Sequence, residues 1–171
     1  QSHDPVHLFT KVAGAQYRSD AQDAAWTQAL GAIPADTIDW LQQRIGQAAI
    51  GTIEPQGLLL VFHGSGANGK TTILSGCRDA LGDFAMVIPD KVIMANHNDH
   101  TTELTTLKGA RFALIEETAE ARRLNVARIK KLVETPEMSA RRIRENEMSW
   151  KSTHTIFLTT NYKPIIEETD E

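Results

Sequence analysis

The stretch LVFHGSGANGKTTIL, Leu60 to Leu74, constrains the fold more than any other part of the chain. It begins inside a short apolar run, GLLLVFH at 57–63, of the kind that suits a strand buried on both faces in a parallel sheet covered by helices. Gly64, Gly66 and Gly69 follow within six positions. KTTILSGCRDAL then resumes helical spacing through Ile73, Cys77 and Leu81. The segment therefore predicts a strand, a glycine loop and a helix in immediate succession.

The rest of the chain alternates in the same manner. Residues 20–30 and 36–50 read as helices, the second with Ile38, Leu41, Ile45, Ala48 and Ala49 on one face. Gly51 offers a helix stop, and Pro55-Gln56-Gly57 a turn. FAMVIP (84–89) predicts a second strand and TTELTTL (101–107) a short helix. ARFALIEE (110–117) predicts a buried strand ending on two carboxylates. LNVARIKKLVE (124–134) predicts a helix with Val126, Ile129 and Val133 inward. MSARRIR and MSWKSTH read as a hairpin around Glu145-Asn146-Glu147, and HTIFLTTN (154–161) as a buried strand running into Asn161. The expected architecture is a three-layer α/β core over residues 55–171, with a small N-terminal helical segment over 1–54 and a hairpin insertion.

Composition narrows the setting. The chain has 171 residues, 41% hydrophobic and 23% charged, ordinary values for one globular domain. No apolar run approaches a membrane span, and QSHDPVHLF has neither the basic start nor the apolar core of a signal peptide. The single cysteine, Cys77, excludes an internal disulfide, so a reducing cytoplasm is expected. A start at Gln1 and a stop on EETDE suggest a piece of a longer protein. The net charge of −4 argues against nucleic-acid binding over the whole surface. Between Arg122 and Arg144, however, eight bases stand against only Glu134 and Glu137. That strip suits either contact with phosphates along one edge or a solvated helix face and hairpin.

Three features carry chemistry. Gly64, Gly69, Lys70 and Thr71 satisfy G-x-x-x-x-G-K-[ST], the pattern of a loop whose backbone N–H groups face phosphates. The following helix adds its positive end, Lys70 reaches the β- and γ-phosphates, and the Thr71 hydroxyl ligates Mg²⁺. Ser65, Gly66, Ala67, Asn68 and Thr72 complete the expected nucleotide contacts. Next, Glu116 and Glu117 end an apolar strand, where Glu116 is assigned to the metal and Glu117 to the attacking water. Finally, Asn161 ends another buried strand, where it either orients that water or serves as a turn residue.

The ordered set GSGANGKTT, RFALIEET, IKKLVETPEMSARRI and IFLTTNYKP resembles the superfamily 3 helicases, above all the phage- and plasmid-type primase-helicase branch, which carries an Asn before the loop Gly-Lys as Asn68-Gly69-Lys70 does. LGDF (81–84) and the lead-in IGQAAIG are similar too. The resemblance spans roughly residues 20–165 and implies an AAA+-like ATPase that assembles as a ring, usually a hexamer, and moves along single-stranded DNA. It implies Gly64, Gly69, Lys70 and Thr71 as Walker A, Glu116 and Glu117 as Walker B, and Asn161 as sensor. Lys130 and Ala140-Arg141 match further family positions, and the hairpin would face the ring channel with Arg142, Arg144 and Lys151 toward DNA phosphates. Glu134-Thr135-Pro136 departs from the Gly-Gly-Asp-like turn common in the family. No arginine follows Asn161, so the family's arginine finger is expected outside this sequence, and the chain alone is expected to bind ATP but hydrolyse it poorly.

Two other functions remain open on the residues: a small P-loop kinase, and a non-catalytic ATP-gated module for DNA binding or oligomerisation. Trp150 is expected in the hairpin core rather than stacked on a base, and Cys77, Trp26 and Trp40 in the core. His63 is expected to pack at its strand end, and His97 and His100 to lie in a polar loop rather than hold a metal.

Overall fold

The computed structural model describes residues 4–53, 57–94, 101–116 and 123–166. Helix α1 (Ala24–Leu30) and helix α2 (Ala35–Ile50) come first, followed by β1 (Leu59–His63), α3 (Lys70–Leu81), β2 (Ala85–Val87) and β3 (Phe112–Ile115). Then come β4 (Arg123–Leu124), α4 (Val126–Glu134), the hairpin β5 (Glu137–Ala140) and β6 (Met148–Lys151), β7 (Thr155–Thr160) and β8 (Ile165–Ile166). The main sheet has the order β1-β7-β3-β2 and is parallel throughout.

The last long strand is thus inserted between the first and the third. Every residue of β3 and β7 is buried. Strand alternation sends Phe112, Leu114 and Phe157 to one face, where they meet Leu30 and Leu41 of the N-terminal helices and Leu74 and Cys77 of α3. The Phe112 and Phe157 rings stack there at 4.1 Å. Ala113, Ile115, Ile156 and Leu158 turn to the other face, against Leu132 of α4, Trp150 of the hairpin, and Ile93 and Leu107 of the short helical turns. The result is a mixed α/β fold with a parallel sheet covered on both sides, and the N-terminal helices share its core.

Local chemistry sets the element ends. Asp23 caps α1 by accepting from the Ala25 and Trp26 amides at 2.8 and 3.3 Å, so the helix starts at Ala24 rather than at residue 20. Gly51, at φ +74°, stops α2 in the left-handed conformation that glycine adopts most readily. Asn125 caps α4 through the Arg128 amide, which leaves Leu124 to pair in β4 with β8. Within α4, Val133 is buried as predicted and Ile129 packs half-buried against the same core, with Leu132 added to that face and Val126 half-buried at its start. Residues 101–107 form a 3-10 helix. The hairpin forms as predicted, pairing Met138 with Trp150 and Ala140 with Met148, but its first strand ends at Ala140, so the connection spans 141–147 rather than 145–147 alone.

Three expectations need correction. β1 is not buried on both faces: Leu60 and Phe62 are, but Val61 is 42% exposed. Among the described residues β1 pairs on one side only, with β7, so it is an edge strand despite its apolar run. Trp40 is 44% exposed rather than in the core, beside that open edge. His63 is exposed at the strand end. His97 and His100 lie outside the described residues.

His154, at the entry to β7, is 3% exposed, and its Nε2 lies 3.1 Å from the Leu132 carbonyl of α4. Burial lowers its pKa below the ordinary value of 6.5, partly offset by that hydrogen bond. The unfolded chain therefore takes up the proton first, and the folded state loses stability as pH falls below about 6.5. In urea unfolding at pH 7.5 and 5.5, His154→Gln should show a smaller loss of midpoint on acidification than the wild type.

Candidate functional site

The sheet order brings the C-terminal ends of β1, β7 and β3 side by side. Register pairs His63 with Thr160 and Ile115 with Leu158, and one step further the Gly64 amide donates to the Thr160 carbonyl at 3.3 Å. The loop after β1, Asn161 after β7 and Glu116 after β3 therefore all leave the same edge of the sheet, where ligands of open parallel sheets sit.

The loop is shaped by its glycines. A Cβ on Gly64 would meet the Asn68 side-chain amide, so a larger residue there would displace that amide from its place across the strand end. Gly69 takes φ +83° and hands the chain into α3, whose first turn closes as the Ile73 amide donates to the Gly69 carbonyl at 3.1 Å. Ala67 also has a positive φ, +60°. At the centre stands Lys70. Its Nζ donates to the carbonyls of Gly64 at 2.6 Å and Ser65 at 3.2 Å, to Asn68 Oδ1 at 2.9 Å and to Asn161 Oδ1 at 3.2 Å. One ammonium thus joins the loop to the end of β7.

Two recesses flank this centre. The first, about 180 Å³, is lined by Gly66 through Thr72 with Thr159, Thr160 and Asn161. The second, about 300 Å³, is lined by Thr71, Leu74, Leu114, Glu116 and Thr159. Thr71 belongs to both. The site thus combines the amide-rich start of a twelve-residue helix, an ammonium, a hydroxyl and a carboxylate. Such a set has the chemistry to hold a phosphate chain together with a divalent cation.

Glu116 leaves β3 half-exposed, and the Nη1 of Arg78 stands 3.4 Å from its Oε1. The same guanidinium reaches Asp79 Oδ1 through Nε at 3.0 Å. Arg78 is a site residue that sequence motifs miss. Its signal is periodic: Thr71, Leu74 and Arg78 follow at spacings of three and four, on the helix face that turns toward β3. Glu117, the predicted partner of Glu116, and Arg122 lie outside the described residues. Arg142 and Arg144 are exposed in the turn of the hairpin and Lys151 on its second strand, with Arg144 at φ +63°. Lys130 is exposed on α4. Trp150 is 8% exposed and packs in the core, as expected. Cys77 is buried too, and its thiol is pushed up to about 11 by desolvation, so it stays protonated.

Known structures share this fold. The fold is similar to that of the apo structure of the C-terminal region (305–718) of NrS-1, with a TM-score of 0.67, 15% identity, and coverage of 95% of this chain and 40% of that one. A second structure of that region, the A form, gives a TM-score of 0.66 at 13% identity over 95% of this chain and 39% of that one. In sequence, the chain is 26% identical over 175 residues to the putative primase C962R of African swine fever virus, isolate Warthog/Namibia/Wart80/1980. The identity is 27% for the isolate Tick/Malawi/Lil 20-1/1983. Each match takes in 97% of this chain but only 18% of the viral protein. The chain belongs to DUF5906, a family of unknown function whose model matches residues 62–171. Among the described residues no helix is long and apolar enough to cross a membrane.

An ion pair as exposed as Arg78–Glu116 contributes at most about 1 kcal/mol. Arg78→Ala is therefore expected to shift the folding free energy measured in urea by no more than that. A larger loss would make the pair a structural strut rather than a feature of the site.

Proposed function

We propose that this chain is the ATP-driven motor module of a replicative primase-helicase, a P-loop ATPase core of superfamily 3 character that couples hydrolysis to movement on single-stranded DNA. The observation that carries the reading is the meeting of Lys70 Nζ with Asn161 Oδ1 at 3.2 Å, which joins two motifs 91 residues apart. The primase name of the viral relatives supports a place in DNA replication, and the likeness to the NrS-1 region supports the fold.

In this reading Gly64 to Thr72 cradle the triphosphate, and Lys70 neutralises its β- and γ-oxygens. Thr71 and Glu116 line one recess and supply the hydroxyl and carboxylate that Mg²⁺ favours, so the residues present fit the ion. Bound there, Mg²⁺ would offset phosphate charge. Asn161, already bonded to Lys70, orients the lytic water, and Glu117 polarises it. Arg142, Arg144 and Lys151 offer exposed cations to DNA phosphates. ATP is shared between the subunits of a ring, a hexamer in this reading, and a neighbouring subunit supplies the arginine finger.

The test is ATP turnover by the full-length polypeptide that contains this chain, with and without single-stranded DNA, beside a measurement of assembly mass. Turnover should rise several-fold with DNA, the mass should exceed a monomer, and Lys70→Ala should reduce turnover to background. A strict monomer with no stimulation would overturn the motor.

A further inference from the structure

Among the described residues Glu116 is the single carboxylate lining the recess that Thr71, Leu74, Leu114 and Thr159 complete. A fixed cation already engages it. Arg78 follows Thr71 by seven positions, two turns along α3, and does not itself line the recess. It meets Glu116 from the flank, with Nη1 donating to Oε1 at 3.4 Å, while Nε donates to Asp79 Oδ1 at 3.0 Å. Glu116 thus stands between the recess and a guanidinium, and that guanidinium stands between two carboxylates.

We propose that Arg78 shields the recess from bare divalent cations, holding Glu116 until a nucleotide arrives together with its metal. The inference rests on the reading of Thr71 and Glu116 as metal ligands and adds an order of binding to it. Magnesium sites of this class take one or two carboxylates and complete their shell with water and substrate phosphates. With its one carboxylate neutralised by Arg78, this recess has no charge left to draw the ion by itself. The phosphates supply that charge, and the singly charged guanidinium then gives up Glu116 to the doubly charged ion. The contact is weak enough to yield. It is the longer of the two that Arg78 makes, and a pair this exposed contributes a factor of about five at most. Asp79 stays with the guanidinium when Glu116 leaves, so its charge keeps a partner throughout.

The test titrates Mn²⁺, a hard dication that takes the same oxygen ligands, into the nucleotide-free chain and reads the free ion by electron paramagnetic resonance. Wild type is compared with Arg78→Gln, Arg78→Lys, Glu116→Gln and the variant carrying both Gln changes, and urea midpoints establish that each folds. Arg78→Gln should bind Mn²⁺ about three- to five-fold more tightly than wild type. Adding Glu116→Gln should abolish that gain, and Arg78→Lys, which keeps the charge, should stay within about two-fold of wild type. A merely structural arginine would give the opposite sign, because a loosened site loses its metal. An affinity for bare Mn²⁺ that is unchanged or lowered in Arg78→Gln overturns the shield and leaves the metal site standing. Glu116→Gln is also titrated with the Mn²⁺ complex of a non-hydrolysable ATP analogue. If it binds that complex as tightly as wild type does, the metal reading falls, and this inference with it.

Discussion

The pairing of β7 between β1 and β3 is the constraint from which the site follows. Two sets of parallel hydrogen bonds and a fully buried six-residue strand fix it, and the stacked rings of Phe112 and Phe157 lock its register against β3. Burial of such side chains contributes about 1.5–3 kcal/mol each, so slipping the strand by one residue would exchange its faces and forfeit most of that gain. Because β7 arrives late in sequence but lies near the middle of the sheet, the site is assembled from segments far apart in the chain. Gly64, Glu116 and Asn161 become neighbours only when the whole sheet has formed.

Lys70 shows how the loop keeps its shape. Its ammonium engages two main-chain carbonyls and two side-chain amide oxygens, which curl the loop around the cation. Charge-assisted bonds of this kind are individually stronger than neutral ones. The same four oxygens are what an incoming phosphate would have to compete with, so the loop holds its cation in place at the cost of part of its attraction for an anion. Arg78 bears a comparable relation to Glu116, as a cation lodged against a carboxylate that faces the same recess as Thr71.

Much of this was legible in the sequence. The loop, the 70–81 helix, the hairpin and the strand ending at Asn161 could be read because glycine spacing, apolar periodicity and strand-end polar residues are local signals. The burial of Trp150 followed from how rarely a tryptophan stays exposed. What escaped depends on neighbours. Inference from hydrophobicity alone fails at β1, since the run GLLLVFH does not say whether a second strand lies beside it. Trp40 is exposed for the same reason, being next to that open edge. Arg78 belongs to the site only because β3 lies against α3, a fact that no single motif contains.

The hairpin and the site are joined by one continuous piece of chain. Lys151 ends β6, Ser152 anchors to the Thr135 carbonyl through its hydroxyl at 2.7 Å, and β7 begins three residues later. From Thr155 the strand runs straight to Asn161, a length of about 20 Å at the usual rise of a β-strand. A strand bonded on both sides is stiff along its axis and cannot absorb a displacement by bending. Held in register by β1 and β3, it serves as a fixed spacer, whose length sets how far the end of the hairpin stands from the Lys70–Asn161 contact.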